Sequence, residues 1–579
     1  MHFQYQYGEL TDRGRKISDW LSNKQNITPI VEELNHGIEN AIIMNSSLID
    51  YVINGGLIEN IKSELTEYLC INQNPRNDQR DEDNLAQTLA ERGLLPMANM
   101  PTESTDLYHR LSDYKVGTVS RSIEQAITMF APGRKITKDK KTYEVIGLTP
   151  KINLDYQGRI DYQTNPGLPW SWRDTIYIDT DTNALLHVGD LNNYNGPIPN
   201  NYSELNGIKP VSFRTRFDIR QIDPWDNNNS NSSYSILYHH SVTENGSKKR
   251  NYRWMLDVSG MVYIINDNRG LGYTFHNIID KTHQPHLRNQ LIEDSNFNNA
   301  FQRENGGQPN FERDSDEPEI NDSALVSPKS TDVFWIHPNS DSNILQLDIL
   351  SSNTGINQTE RRTGIKAAYR SAAYLIRTSI CDYLDTNPEE LQIAELAPVS
   401  INDGRRGFRI VLADTTPNGS GLSLALSEEF ENMLNYLFDG VKEEDDNKWK
   451  YLKSLTQPPH SKICETSCQE CLRTYSNMRE HALMDWRLGL NLLRIMNDSK
   501  EKLMGDKAGY LEEECSKLPE SHELSSLIRE MNTVQSRIFD AGTELKKKQF
   551  GDLPGLYDSK RNRAYIIVHP LWRPPQDGD

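Results

Sequence analysis

The residues whose types and spacing could do chemistry lie close together in Cys464-Glu-Thr-Ser-Cys468-Gln-Glu-Cys471, where three of the chain's six cysteines occupy eight positions. Zinc takes four Cys or His ligands at tetrahedral geometry, and short C-x2–4-C spacings let one turn supply two of them. The C-x3-C-x2-C run supplies three. His460, four residues upstream, is the nearest fourth ligand, with His481, Cys381 and Cys515 as competitors. Two other readings exist for such a cluster: three small buried hydrophobes, or a redox C-x2-C. The redox motif sits on the strand-to-helix turn of a βαβ unit, and no such pattern surrounds Cys468. With all four positions filled by protein, the site would be structural zinc, adding to folding rather than to catalysis.

Other constellations carry weaker signals. The loop from Asp414 to Gly421, with Gly419 and Gly421 before an apolar helical stretch, could aim backbone N–H groups at a phosphate, or could be a tight strand-to-helix turn. Lys366, Arg370 and Arg377 recur at helical spacing and could share a face toward a nucleic-acid backbone, with Arg405 and Arg406 nearby; charged helix faces are also commonly just solvated. His460-Ser461-Lys462 matches the start of a phospholipase D-type nuclease motif, but the Asp that motif needs is Ser467 here. Glu544-Leu-Lys546 opens a lysine run that reads as a solvated basic helix end.

These residues need elements to position them. Residues 1–140 read as helical, including Ile17 to Leu34 and the segment around Ile123 to Phe130. From Lys141 to about 325, short alternating runs such as Thr175 to Asp179 and Tyr252 to Asn266 predict a β-rich domain with polar insertions, the last of them a polar linker near 281–322. Residues 326–500 alternate strands, a long Ala-rich helix, the glycine loop and a second helix, an α/β zinc-binding domain in which Asn477 to Met496 reads as one apolar helix. Residues 501–579 form a helical and strand extension. The expected fold class is therefore a mixed α/β, multidomain one: helical at the N-terminus, β-rich in the middle and α/β around a zinc site.

Composition limits the function. A length of 579 residues implies several cores, and a net charge of −19 with pI near 5.3 argues against autonomous, non-specific DNA binding. No apolar leader and no run of about 18 apolar residues is present, so a cytoplasmic location without membrane contact is expected. Six scattered and clustered cysteines do not make a disulfide framework.

The stretch Cys464 to Leu490 resembles the C-terminal zinc-bearing (MZB-type) domain of bacterial superfamily 2 helicases of the MrfA-like and DISARM (DrmA, DrmB) type. Their cysteine cluster precedes Y-x-N and H-x3-D-W, here Tyr475, Asn477, His481, Asp485 and Trp486. Ala413 to Leu422 is similar to that domain's D-T-x-P-x-G-x-G loop, and segments upstream resemble the region between motor and zinc domain. The motor itself is missing: no G-x4-G-K-[ST] phosphate loop and no D-E-x-[HD] box occurs in the 579 residues. The resemblance thus implies a non-catalytic, zinc-containing subunit of a prokaryotic anti-phage (DISARM DrmB-like) helicase complex. Its partners would be a superfamily 2 motor and, through the complex, DNA. The alternatives from other classes are a metal-dependent nuclease or other DNA-processing hydrolase, and a stand-alone nucleic-acid sensor.

Overall fold

The computed structural model describes residues 104–498 and 545–571, less 111–115, 139, 153, 155–166, 181–183, 194–200, 216–234, 240–244, 247–249, 281–288, 294–310, 315–316, 340–344, 346, 348–357, 402–404, 440–447, 551–552 and 567–569. The helices expected before residue 104 and in 499–544 lie outside these residues, as do Cys70 and Cys515.

Within the described part of 1–140, strands replace most of the expected helix. The β-branched and aromatic runs Ser104–Arg110 (β1) and Val116–Ser122 (β2) pair antiparallel from Ser104↔Ser122 to Arg110↔Val116. Helix α1, Ile123–Met129, is there but lasts two turns, stopping before Pro132, and Lys135–Lys138 (β3) then folds back on Lys141–Thr149 (β4).

The β-rich region expected from residue 141 is a mixed sheet. It continues through Trp170–Asp179 (β5), Ala184–Val188 (β6), Tyr202–Pro210 (β7), Ser212–Thr215 (β8), Ser235–His239 (β9) and Asn245–Gly246 (β10). Tyr252–Asn266 (β11), Tyr273–Asp280 (β12), Leu291–Glu293 (β13) and Phe311–Arg313 (β14) follow, then the 19-residue Ile320–Pro338 (β15). Two parallel pairings, β1 with β8 and β7 with β15, interrupt an otherwise antiparallel network. The stretch read as a polar linker contains β13, which pairs with β4 and β12; its Leu291 and Ile292 are fully buried, Leu291 completing the core of Leu107, Ile127, Phe130, Phe213 and Phe275.

β11 and β15 run antiparallel from Tyr252↔Pro338 to Asn266↔Leu325, with an irregularity between Asp257 and Gly260. The expected domain boundary at 325/326 therefore falls inside β15. Its C-terminal half pairs with Arg405–Asp414 (β18), which also carries Leu391–Ile393 (β16) and Ala397–Ile401 (β17). Strand alternation divides the core here. Phe408, Ile410 and Leu412 face the helices, while Val411 and Ala413 face Trp335 and Val262 on the other side.

The helical layer is Gln358–Tyr383 (α2), Leu422–Phe438 (α3), Lys450–Thr456 (α4), His460–Ile463 (α5) and Trp486–Asn497 (α6). The alanines of α2, Ala368, Ala372 and Ala373, are wholly buried and let α6 approach closely. At the crossing, a Cβ on Gly489 would lie 2.9 Å from the Ala372 nitrogen and the Ser371 carbonyl carbon. The single helix expected over Asn477 to Met496 is two pieces. Met478–Leu483 forms 3₁₀ turns, and Asp485 restarts the chain as N-cap of α6, its carboxylate accepting from the Arg487 and Leu488 amides. Finally, Leu545–Phe550 (β19), Leu553–Asp558 (β20) and Arg563–Ile566 (β21) make a separate antiparallel sheet, so the lysine run is a strand and not a helix end.

Candidate metal centre

The centre is built by three short segments hung on α2 and α6. α4 buries Tyr451, Leu452 and Leu455 and ends near Gln457; α5 follows at once and turns His460 inward. The His460 side chain then meets the loop carrying the three cysteines. One ligand atom from each of His460, Cys464, Cys468 and Cys471 lies within 4.8 Å of every other. Cys464 and Cys471 Sγ are 3.9 Å apart, too far for a disulfide bond of about 2.05 Å. That separation matches the edge of about 3.8 Å that two sulfurs span when each is about 2.3 Å from a shared tetrahedral zinc.

The histidine shows the same preparation. His460 Nδ1 lies 2.9 Å from the Leu455 carbonyl oxygen, which only accepts, so Nδ1 carries the proton. Nε2 is left as an unprotonated, buried nitrogen with no hydrogen-bond partner. An orphaned polar atom of this kind is costly unless a ligand occupies it, and an outer carbonyl fixing the tautomer is the usual support of a metal-bound histidine. The Cys468 amide donates to Cys471 Sγ at 3.0 Å, orienting that sulfur. Burial, then the neighbouring thiols, pushes the Cys464 thiol well up from its ordinary value; burial pushes Cys471 up to about 11. Without a cation the pocket holds these two as thiols. A divalent ion reverses that preference by binding thiolate.

The residues around the clasp hold its backbone. Arg487, buried on α6, donates through Nη1 to the carbonyls of Cys464 (2.6 Å) and Glu465 (2.7 Å), and through Nη2 to Ser461 (2.6 Å). Trp486 packs its ring 5.3 Å from the His460 ring, and its Nε1 donates to the Cys464 carbonyl at 3.3 Å. Tyr451 donates its hydroxyl to the Cys471 carbonyl. Asn477 accepts from the Thr474 amide and donates to the Leu472 carbonyl, and His481 Nε2 donates to the Thr474 carbonyl and to Asn477 Oδ1. His481 thus stitches the next turn. Cys381 is a buried thiol of α2, pushed up to about 11 by burial and outside the cluster. Among the described residues, His460 fills the fourth position. Its Nδ1 is committed to the Leu455 carbonyl and its Nε2 is buried beside the three cysteines.

Arg487 escaped the sequence reading. A cation one residue into an apolar helix was the available signal.

The remaining sequence candidates are placed differently. Arg370 and Arg377 do share a face of α2, but it faces inward. Arg370 donates to the Ala394 carbonyl and pairs with Glu395 (2.6 Å) and Glu480 (3.1 Å), while Arg377 sits over the Tyr374 ring at 4.8 Å and burial lowers its pKa. Arg370 is thus braced in the interior by two carboxylates remote in sequence, and Arg377 is buried against a ring. Lys366 is half-buried, its ammonium 5.9 Å over Phe408. Arg405 and Arg406 open β18 opposite Ile401 and Ser400.

In the glycine loop, the Asp414 carboxylate already occupies the start of α3. It accepts from the amides of Ser420, Leu422 and Ser423 and from both serine hydroxyls. The phosphate reading gives way to the turn reading, since those donors are taken. Gly419 and Gly421 have φ of +79° and +85°, and a Cβ on Gly419 would collide with the Asp332 carboxylate.

No family model matches the chain, and no curated protein matches it. Two solved structures do. One, a DUF1998 helicase, MrfA, bound to DNA, aligns with a TM-score of 0.31 and 10% identity over 75% of this chain and 39% of that one. The other, also of MrfA, aligns with a TM-score of 0.23 and 11% identity over 71% and 38%. The chain spans about two fifths of the length of the structures it matches.

Proposed function

We propose that this chain is a non-motor, helicase-associated subunit whose His460-Cys464-Cys468-Cys471 clasp holds one structural zinc ion, with ATP hydrolysis and DNA translocation supplied by a superfamily 2 partner. The observation that carries the zinc assignment is the buried, partnerless His460 Nε2 within 4.8 Å of three sulfurs, two of them 3.9 Å apart. When bound, zinc would cross-link α5, the cysteine loop and, through Arg487 and Trp486, α6. With four protein ligands there is no open position for water or substrate, so the ion would contribute folding free energy and not Lewis-acid chemistry.

The helicase association rests on the residues that resemble the zinc-bearing domain of the MrfA-like and DISARM-type helicases, which here have structural tasks. Asn477 and His481 shape the turn after the cysteines, Asp485 caps α6, and Trp486 packs on the ligand histidine. A role in anti-phage defence follows from the same resemblance.

Two measurements test this. Metal analysis of the purified protein should give one zinc per chain; His460→Cys should keep it, and His460→Ala should lose it to a chromophoric chelator at least tenfold faster. Affinity purification from the native host should recover a protein with G-x4-G-K-[ST] and D-E-x-[HD] motifs in stoichiometric amount. Zinc-free protein would remove the clasp, while a zinc-bearing chain recovered alone would remove the partner.

A further inference from the structure

The three sulfurs of the clasp are not equally placed. Cys464 and Cys471 are 7% and 6% exposed, whereas Cys468 stands half-buried in the loop, directly before the exposed Gln469 and Glu470. Cys381, the other described cysteine, is wholly buried in α2 and outside the cluster. A solvent-borne oxidant therefore meets the clasp first at Cys468, because attack requires access to the sulfur.

A second thiol is held beside it. The Cys471 amide donates to the Cys468 carbonyl at 3.3 Å, and the Cys468 amide donates to Cys471 Sγ at 3.0 Å. The C-x2-C segment is thus a closed four-residue turn, which keeps its end Cα atoms within about 7 Å, and disulfides bridge Cα separations of about 4.4–6.8 Å. With the two sulfurs already within 4.8 Å, they can close on each other with little movement of the chain. Cys464 is anchored elsewhere, its carbonyl accepting from Arg487 and Trp486 of α6.

We infer that Cys468 is an oxidation site and Cys471 its resolving thiol, so that the clasp is a latch opened by peroxide. This rests on the zinc reading proposed above. The Cys468 thiolate attacks one peroxide oxygen; an S–O bond forms, the O–O bond breaks, and the departing hydroxide takes a proton from solvent to become water. The Cys471 thiolate then attacks the sulfenic sulfur; the S–S bond forms, the S–O bond breaks, and a second hydroxide leaves as water with a second solvent proton. Two thiolates together lose the two electrons that one peroxide gains. The disulfide removes two of the four donors, and His460 with Cys464 alone is too few to hold the ion. Opening therefore frees the Cys468–Cys471 turn from α5 while Cys464 stays tied to α6.

The test starts from full-length protein whose zinc content has been measured, treated with hydrogen peroxide while a chromophoric indicator reads the released metal. One zinc should appear and two thiols disappear per peroxide consumed. Glu465 and Glu470 separate the three cysteines in sequence, so cleavage after glutamate puts each on its own fragment. The fragments of Cys468 and Cys471 should be bridged, with Cys464 still open to alkylation, and dimedone present during oxidation should label Cys468. Cys468→His keeps four donors and should slow zinc release about tenfold or more. If that variant loses its metal on purification, the wild-type fragment map decides. Dithiothreitol with added zinc should reload the oxidised protein; a chain that cannot be reloaded has been damaged rather than switched, which overturns the latch. Zinc retained under excess peroxide, a bridge or dimedone label that leaves out Cys468, or release from Cys468→His as fast as from the wild type also overturns it. A chain without zinc instead removes the clasp, and the latch with it.

Discussion

Arg487 Nη1 lies 2.6 Å from the carbonyl oxygen of Cys464, so a residue in the first turn of α6 fixes the backbone of a candidate metal ligand 23 positions earlier. The same guanidinium serves the carbonyls of Ser461, which is buried, and of the exposed Glu465. Replacing Arg487 by Met fills the space but leaves the Glu465 and Ser461 carbonyls without this donor, each costing about 1–3 kcal/mol, and the Cys464 carbonyl with the Trp486 Nε1 alone. Water entering the site offsets part of this, so the expected loss is on the order of 3–5 kcal/mol. Hydrogen exchange at the Cys464, Cys468 and Leu472 amides should accelerate strongly, and Arg487→Lys should restore only part of the protection. Unchanged exchange in Arg487→Met would show that the carbonyls do not depend on it.

Zinc affinity should rise steeply with pH. In the metal-free fold Cys471 is raised to about 11 and Cys464 is raised further, by burial first, so both are thiols near neutrality. Zinc binds them as thiolates, so binding releases at least two protons. The logarithm of the apparent affinity should therefore climb by about 2 or more per pH unit between pH 6.5 and 8, and acidification should strip the ion. Calorimetry in buffers of different ionisation enthalpy counts the protons directly; release of fewer than two would mean that one of these cysteines does not ligate.

The clasp was legible because three ligands fall within eight residues and His460 lies four residues upstream, so local chain geometry alone brings them together. The burial of the basic face of α2 was not legible for the complementary reason. Periodicity correctly put Arg370 and Arg377 on one side, but which side faces in depended on Glu395 and Glu480, which spacing along α2 cannot reveal. The division of Asn477 to Met496 was likewise hidden, since apolar periodicity runs through Met484 while the amides of α6 are captured by Asp485. The position 325/326 lies inside β15, because the sequence turns polar before that strand while the strand itself continues through that point, paired with β11.

Asp332 should make the fold less stable as pH rises. Burial, then the charges of Asp414 and Asp257, raises its pKa from 3.8 to about 7. The folded state thus retains a proton that the unfolded chain gives up near pH 4, and the penalty for ionising Asp332 develops between about pH 4 and 7 and is complete above it. Asp332→Asn keeps the shape and removes the charge, so it should raise the melting temperature more at pH 8 than at pH 5. An equal shift at both values would remove Asp332 from the pH dependence.

Gly489→Ala sets two effects against each other. Helix propensity favours alanine by about 1 kcal/mol inside α6. The new methyl carbon, however, would sit 2.9 Å from the Ala372 nitrogen, the Leu375 Cδ1 and the Ser371 carbonyl carbon, and two of these three are backbone that cannot rotate away. Overpacking of this kind costs about 1–3 kcal/mol, so the net effect is destabilising. The crossing also carries the Asp485 amide bonded to Ser371 Oγ at 2.8 Å, directly before Trp486 and Arg487. Prying α6 from α2 should therefore loosen the clasp from behind, lowering the melting temperature and speeding zinc transfer to a chelator although no ligand is changed. A higher melting temperature with unaltered chelation would show that propensity wins and that the helices have room to part.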